Sequence, residues 1–226
     1  DMIIFLSGER SSFFFLNLST VFIIILIKEY QRFRLATLIL SIICIFILSL
    51  YSTDYSLRMF KEPLKAMVLT DKSKERVIFT PQHDSLIRTA YNMFEDQPLT
   101  GHGPKMFRVI CKKEKYAIGV HSCSTHPHNF YAQLSAETGI IGLSFLFIVL
   151  IYVLYKSFIQ LKSIILRQKR PLTDFQVCLL AGIFITVWPF TSNGNFFNNW
   201  LMIVYSLPIG FYLHSVYQRE FHKTIK

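Results

Sequence analysis

The stretch most able to do chemistry is His126-Pro127-His128-Asn129, in which two histidines flank a proline and an amide follows. A histidine ring is neutral and basic near pH 7, so one held against a hydroxyl can take its proton as that oxygen attacks. Pro127 favours a helix start, with Ser124 or Thr125 as cap. His128 then falls in the first turn, where the helix amino terminus disfavours a protonated ring. With His121 and Cys123 just upstream, His126 and His128 make four candidate zinc ligands. Against a metal stand the proline between two of them, the competing partner Cys111 for Cys123, and the lack of an HExxH-type carboxylate. No metal and no cofactor is expected. Cys111 and Cys123 either close a disulfide, which an oxidising compartment favours, or stay as two thiols. Further on, Asn193, Asn195, Asn198 and Asn199 stand among Phe196, Phe197 and Trp200. Such a run is an ordinary turn, or a set of amides and ring faces suited to sugars.

These residues need a scaffold, and composition says which kind. Of 226 residues 52% are hydrophobic, and the mean hydropathy is +0.38, more apolar than a soluble domain. Residues 12–27, 33–50, 140–158, 175–190 and 197–216 are nearly free of charge, and each approaches the ~20 residues that cross a bilayer. The fold class is therefore all-α and polytopic, with about five spans. The net charge of +10 sits largely in short connections: Lys28, Arg32 and Arg34; Lys156, Lys162, Arg167, Lys169 and Arg170; and Arg219, Lys223 and Lys226. Five spans put all three clusters on one side, which the positive-inside rule makes cytoplasmic. No nucleic-acid recognition motif accompanies the charge, so nucleic acid is not an expected partner. The hydropathy likewise excludes a free soluble binding module.

On the other side lie the long stretch 51–139 and the turn 191–199. A helix is expected over 84–95, ended by Pro98-Leu99-Thr100-Gly101-His102-Gly103-Pro104. A second helix, from near Pro127 through Tyr131 and Leu134, leads into the third span with a break at Gly139. The chain thus divides into 1–50, two spans with a short cytoplasmic turn; 51–139, the outer catalytic loop; and 140–226, three spans with a cytoplasmic tail. It opens at Asp1 in an apolar run already under way, so further spans are expected upstream.

Read together, His128-Asn129, nine intervening residues, and Gly139-Ile140-Ile141-Gly142 form H-N-x9-G-x-x-G at the outer end of a span. This resembles the signature of the O-antigen ligases and O-antigen polymerases. Pro98 to Gly103 is similar to the family's P-x-x-G-x-G element, and Ser7-Gly8-Glu9-Arg10 to the small-residue-plus-arginine motif that opens an earlier span. The resemblance implies a lipid-donor (C-type) glycosyltransferase of the bacterial inner membrane, with its site facing the periplasm, in lipopolysaccharide assembly. The implied donor is a glycan on undecaprenyl diphosphate; the acceptor is a saccharide, lipid A-core in the ligases or another lipid-linked unit in the polymerases. Transfer is implied to be metal-independent and inverting.

The resemblance also implies residue roles. His128 is the base; otherwise it is a polar cap at the membrane surface. Arg10 binds the diphosphate, since a guanidinium forks onto phosphate oxygens; otherwise it is an interfacial anchor. The second diphosphate position falls on Arg88 or on His83, and an Asp84–Arg88 pair at i,i+4 is the competing reading of Arg88. Asn129, Lys105, Asn195 and Asn199 are candidate acceptor or sugar contacts. Transfer to a protein acceptor stays open within the family. The rival from another class is a non-enzymatic glycan-lipid flippase or export scaffold, which calls for charges inside the spans that are nearly absent here.

Overall fold

The computed structural model describes residues 1–51, 57, 59, 80–190 and 192–224. Most of 52–79, together with Thr191, Ile225 and Lys226, lies outside them. Among the described residues all regular structure is helical: α1 (Met2–Ser7), α2 (Arg10–Leu26), α3 (Gln31–Tyr51), α4 (Pro81–Asp96), α5 (Phe107–Ile110), α6 (Phe130–Ile165), α7 (Asp174–Thr186) and α8 (Asn199–Thr224). The chain forms two compact units: Asp1–Ser52, Val149–Trp188 and Ile203–Lys226 make one; Thr53–Ile148 and Pro189–Met202 make the other.

In the first unit, α2 packs on α7 around Phe22, Leu26, Val177, Leu180 and Phe184, with the Phe22 and Phe184 rings stacked at 4.9 Å. Gln160 is buried in this apolar setting because both ends of its amide are satisfied. Its Nε2 donates to Leu26 O (3.2 Å), and its Oε1 accepts from Leu172 N (3.1 Å). Thr173 and Gln176 form a capping box that starts α7. Gly8, left-handed at φ 73°, ends α1 and lets Arg10 open α2. Many apolar side chains of α3 point outward, among them Phe33, Leu40, Phe46 and Leu50, as a lipid-facing helix requires.

Gln31–Tyr51, Phe130–Ile165 and Asn199–Arg219 are long and apolar enough to cross a bilayer. The other two expected spans are shorter. Arg10–Leu26 has 17 residues, and Asp174–Thr186 has 13. The expectation of a segment over 175–190 ran into Pro189, which disfavours helix in the residue before it; α7 stops at Thr186.

The second unit closes around Leu86, Ala90, Met93, Phe107, Ile110, Tyr116, Ala132 and Ala136. Leu86, Ala90 and Met93 recur at helical spacing, so α4 buries one stripe. Its observed range, Pro81–Asp96, brackets the expected 84–95. Cys111 and Cys123 are joined by a disulfide, with Cα atoms 5.2 Å apart.

The 36 residues of α6 would run about 54 Å if straight, well beyond a bilayer core. Gly139 breaks it, at φ 63° and ψ −158°, a backbone region essentially closed to other residues. The break leaves helix carbonyls without their usual donors, and the 97–103 turn supplies them. His102 N donates to Ala136 O (3.0 Å) and Gly103 N to Glu137 O (2.9 Å), while Ile140 N donates to Pro98 O (2.8 Å). The approach is too close for side chains. A Cβ on Gly101 would lie 2.4 Å from Glu137 C, and one on Gly139 2.4 Å from Leu99 C. The two glycine elements are the two halves of one backbone joint.

Candidate active site

His128 sits just outside α6, not in its first turn. The helix begins at Phe130, and the cap is Asn129, whose Oδ1 accepts from Tyr131 N (3.0 Å) and Ala132 N (3.1 Å). The expected start at Pro127, with Ser124 or Thr125 as cap, is thus corrected. Asn129 outcompetes them because its amide reaches two of the orphan helix donors. His128 before it is left-handed, at φ 57°, uncommon outside glycine and costly unless its surroundings impose it. They do. Asn193 N donates to His128 O (2.8 Å), and Asn129 Nδ2 donates to Pro189 O (2.8 Å). The turn after α7 thereby grips the residues on both sides of the bend.

Three imidazoles gather here. The His126 and His128 ring centroids are 4.1 Å apart; His83 meets His128 edge-on at 5.6 Å. His83, at the start of α4, is held by Thr80 Oγ1 at 2.7 Å from Nδ1. The buried His126 donates from Nε2 to Asn193 O (3.3 Å), since a carbonyl can only accept; its Nδ1 then accepts from Thr125 Oγ1 (2.9 Å). That defines a neutral tautomer. Burial, aided by the neighbouring His128 and then Arg108, pushes the His126 pKa down to about 4. Burial also lowers His128, and burial with His128 beside it lowers His83. Desolvation lowers His128, which stands outside the first helical turn where it was expected.

A cleft of about 240 Å³ opens beside these rings, lined by His83, His121, Ser124, His128 and their neighbours. Among the described residues the side-chain partner of His128 is Ser124 Oγ, 3.5 Å from Nε2. That is long for a hydrogen bond and readily exchanged for an incoming hydroxyl. A ring held neutral, fixed in position and facing a cleft is a geometry for taking a proton.

The other candidate residues are placed unequally. His83 lines the cleft; Arg88 does not, and its Nε pairs with Asp84 at 2.8 Å. Arg10 opens α2 in the first unit. Lys105 is exposed and left-handed within the glycine turn (φ 64°), and Asn199 is exposed at the start of α8. Asn195 Oδ1 accepts from Gln133 Nε2 and Phe197 N, both at 2.9 Å. Like Asn129, it is engaged by the protein. Cys123, in the disulfide, is withdrawn as a thiolate ligand. Among the described residues no three His, Cys, Asp or Glu side chains are grouped to hold a metal.

The centre of this scaffold is Glu137. It is fully buried, its Oε1 accepting from Phe107 N (2.8 Å) and its Oε2 from Gln133 Nε2 (3.0 Å). Gln133, also fully buried, accepts from Phe196 N at Oε1 (2.9 Å). One polar chain therefore ties α5, α6 and the 193–198 turn together. A signal was present: Gln133 and Glu137 stand one helical turn apart, on a helix whose Ala132 and Ala136 enter the core.

The structure is that of a helical membrane protein with a histidine-lined cleft at the head of a broken helix. The O-antigen ligase family model matches residues 2–147, and the chain belongs to that family. Membership brings an activity of the O-antigen ligase and polymerase type, that of a glycosyltransferase-like enzyme using glycan and lipid-linked substrates at a bilayer. No curated protein and no solved structure matches the chain.

Proposed function

We propose that this chain transfers a glycan from undecaprenyl diphosphate to a saccharide acceptor on the periplasmic face of the inner membrane, without a metal and with inversion. The observation that carries the reading is His128: a neutral imidazole of the family's H-N-x9-G-x-x-G signature, fixed by Asn129 and Asn193 and facing a cleft. The acceptor hydroxyl gives its proton to His128 as its oxygen bonds to the anomeric carbon. The bond from that carbon to the diphosphate oxygen breaks, and the electron pair leaves on undecaprenyl diphosphate. His126, kept neutral, adds no like charge against the imidazolium that forms. His83 contributes a second ring to the cleft and can hydrogen-bond either substrate. Arg88 serves α4 through Asp84. Arg10 keeps its diphosphate role on the strength of the family motif alone.

The test is substitution with the glycan product as readout. His128→Ala abolishes transfer at unchanged membrane abundance, and His126→Ala is milder. An essential His126 beside a dispensable His128 overturns the assignment.

A further inference from the structure

The histidine cleft holds more than a single base needs. Thr80 is the amino cap of α4, where a threonine hydroxyl ordinarily accepts from the N–H of the second or third helical residue. Here it makes no such bond; its Oγ1 lies 2.7 Å from Nδ1 of His83, the third residue of the helix. A hydroxyl that could have stabilised the helix start fixes a ring instead. With Nδ1 held by Thr80, Nε2 is the nitrogen left for a ligand, and among the described residues it has no hydrogen-bond partner. The ring stands edge-on to His128, centroids 5.6 Å apart, and both line one cleft. Burial keeps His83 neutral, and His128 beside it acts the same way.

The rest of the lining is of one chemical kind. Among the described residues it carries no Asp, Glu, Lys or Arg. Gln82 and Ser124 add an amide and a hydroxyl, while Leu86 and Val120 add alkyl surface. Val120 is 95% exposed, an aliphatic side chain left bare at the cleft. Neutral hydrogen-bonding groups beside bare alkyl surface fit a sugar ring, which presents hydroxyls at its rim and C–H bonds on its faces. They suit a phosphate or carboxylate poorly, because a neutral imidazole offers an anion a hydrogen bond and no charge.

We infer that His83 is a specificity-determining residue: its Nε2 binds the hydroxyl next to the one His128 deprotonates, on an acceptor sugar that is uncharged at the ring attacked. The inference rests on the reading of His128 as base and deepens it. Neighbouring hydroxyls of a pyranose leave carbons one bond apart. A sugar that gives one hydroxyl to His128 therefore brings its neighbour to the imidazole alongside. If Nδ1–H donates to Thr80, Nε2 accepts from that hydroxyl; in the other tautomer Nε2–H donates to it. Either way the second contact fixes which hydroxyl meets the base.

The experiment uses the full chain in lipid nanodiscs, with lipid-linked glycan donor and natural acceptor extracted from the source cells. Methyl glucoside, methyl galactoside and methyl mannoside are offered as acceptors, or as competitors of the natural one. Methyl glucuronoside is the charged counterpart. The monodeoxy forms of the best neutral glycoside are then compared, by kcat/KM as acceptors or by inhibition constant as competitors. One of them costs wild type about tenfold, the worth of one hydrogen bond, yet costs His83→Ala nothing further. In an acceptor the missing hydroxyl adjoins the linkage carbon of the product. His83→Ala raises the KM of the natural acceptor and leaves that of the donor unchanged, and the glucuronoside is used about tenfold less well than the glucoside. Intact Cys111–Cys123 linkage, checked by non-reducing mass analysis, certifies the fold. If His83→Ala fails that check, Thr80→Val decides, since it frees the ring without removing it; an unchanged acceptor KM there overturns the inference. So does a His83→Ala enzyme as sensitive as wild type to every missing hydroxyl, or one altered only in donor KM. A glucuronoside used as well as the glucoside, or neutral glycosides that neither accept nor compete, overturn it too. The two readings fail separately. Any of those results with inactive His128→Ala removes only the role of His83, whereas active His128→Ala removes the reading of the base.

Discussion

Replacing Glu137 by Gln changes one oxygen to an amino group and almost nothing in volume, so its cost isolates hydrogen-bond polarity. Both carboxylate oxygens accept from donors that cannot turn: Phe107 N is backbone, and Gln133 has its Oε1 committed to Phe196 N and its Nε2 to Asn195 as well as to Glu137. Whichever way the new amide is oriented, its NH2 meets an N–H. If Gln133 flips to receive it, Phe196 N loses its acceptor and Asn195 Oδ1 is left with Phe197 N alone. At least one buried donor pair is left unsatisfied, at about 1–3 kcal/mol per orphaned group. Relief from burying a carboxylate offsets part of this. A net loss of about 2 kcal/mol follows, or roughly thirtyfold in local opening. Hydrogen exchange read by mass spectrometry locates it. Peptides containing Phe107 and Phe196 exchange about that much faster in Glu137→Gln, and α7 in the first unit is unaffected. Glu137→Ala, which removes both acceptors and leaves a cavity, is worse. Unchanged exchange in Glu137→Gln refutes the polarity of the chain as drawn.

Two further outcomes test the joint and the histidines. Gly139→Ala destabilises the second unit by more than about 3 kcal/mol, from the backbone strain together with the Leu99 contact at 2.4 Å. Gly210→Ala, whose Cβ meets nothing within 4 Å, costs much less; thermal unfolding in detergent ranks the two, and equal midpoints contradict the joint. Acid destabilises through His126. Above pH 6.5 the ring is neutral folded and unfolded; between 6.5 and about 4 only the unfolded chain takes the proton, so stability falls as pH falls through that window. The loss reaches about 2 kcal/mol by pH 5. His126→Gln flattens this part of the pH profile of unfolding, and a slope identical to wild type shows that the ring is not shielded.

Legibility followed the physics of each element. The helix over 84–95 could be read because its helix-like run and the glycine turn that must end it agree. The Gly139 break could be read because glycine leads a span there. The start of α6 was misplaced because Pro127 is a genuine first-turn residue, and the competing signal, Asn129, lies inside the motif being read for chemistry. The end of α7 was overrun because hydropathy runs on through Val187 and Trp188 to Pro189, where helix geometry does not. Arg88 illustrates the opposite limit: its spacing to Asp84 announced an ion pair, and only the coordinates show that His83, not Arg88, borders the cleft.

The signature itself mixes two kinds of requirement, and the structure separates them. His128 faces the cleft. Asn129 caps α6 and braces Pro189, so it acts on His128 by holding the chain where a left-handed histidine is tolerated. Gly139 is needed because its backbone conformation and the close approach of Leu99 exclude a side chain. Losing activity on mutation is therefore weak evidence of a chemical role anywhere in this motif. The informative quantity is the ratio of lost transfer to lost stability; if His128 is the base as proposed, it is expected to be large for His128, small for Gly139, and intermediate for Asn129, whose substitution lets the histidine drift.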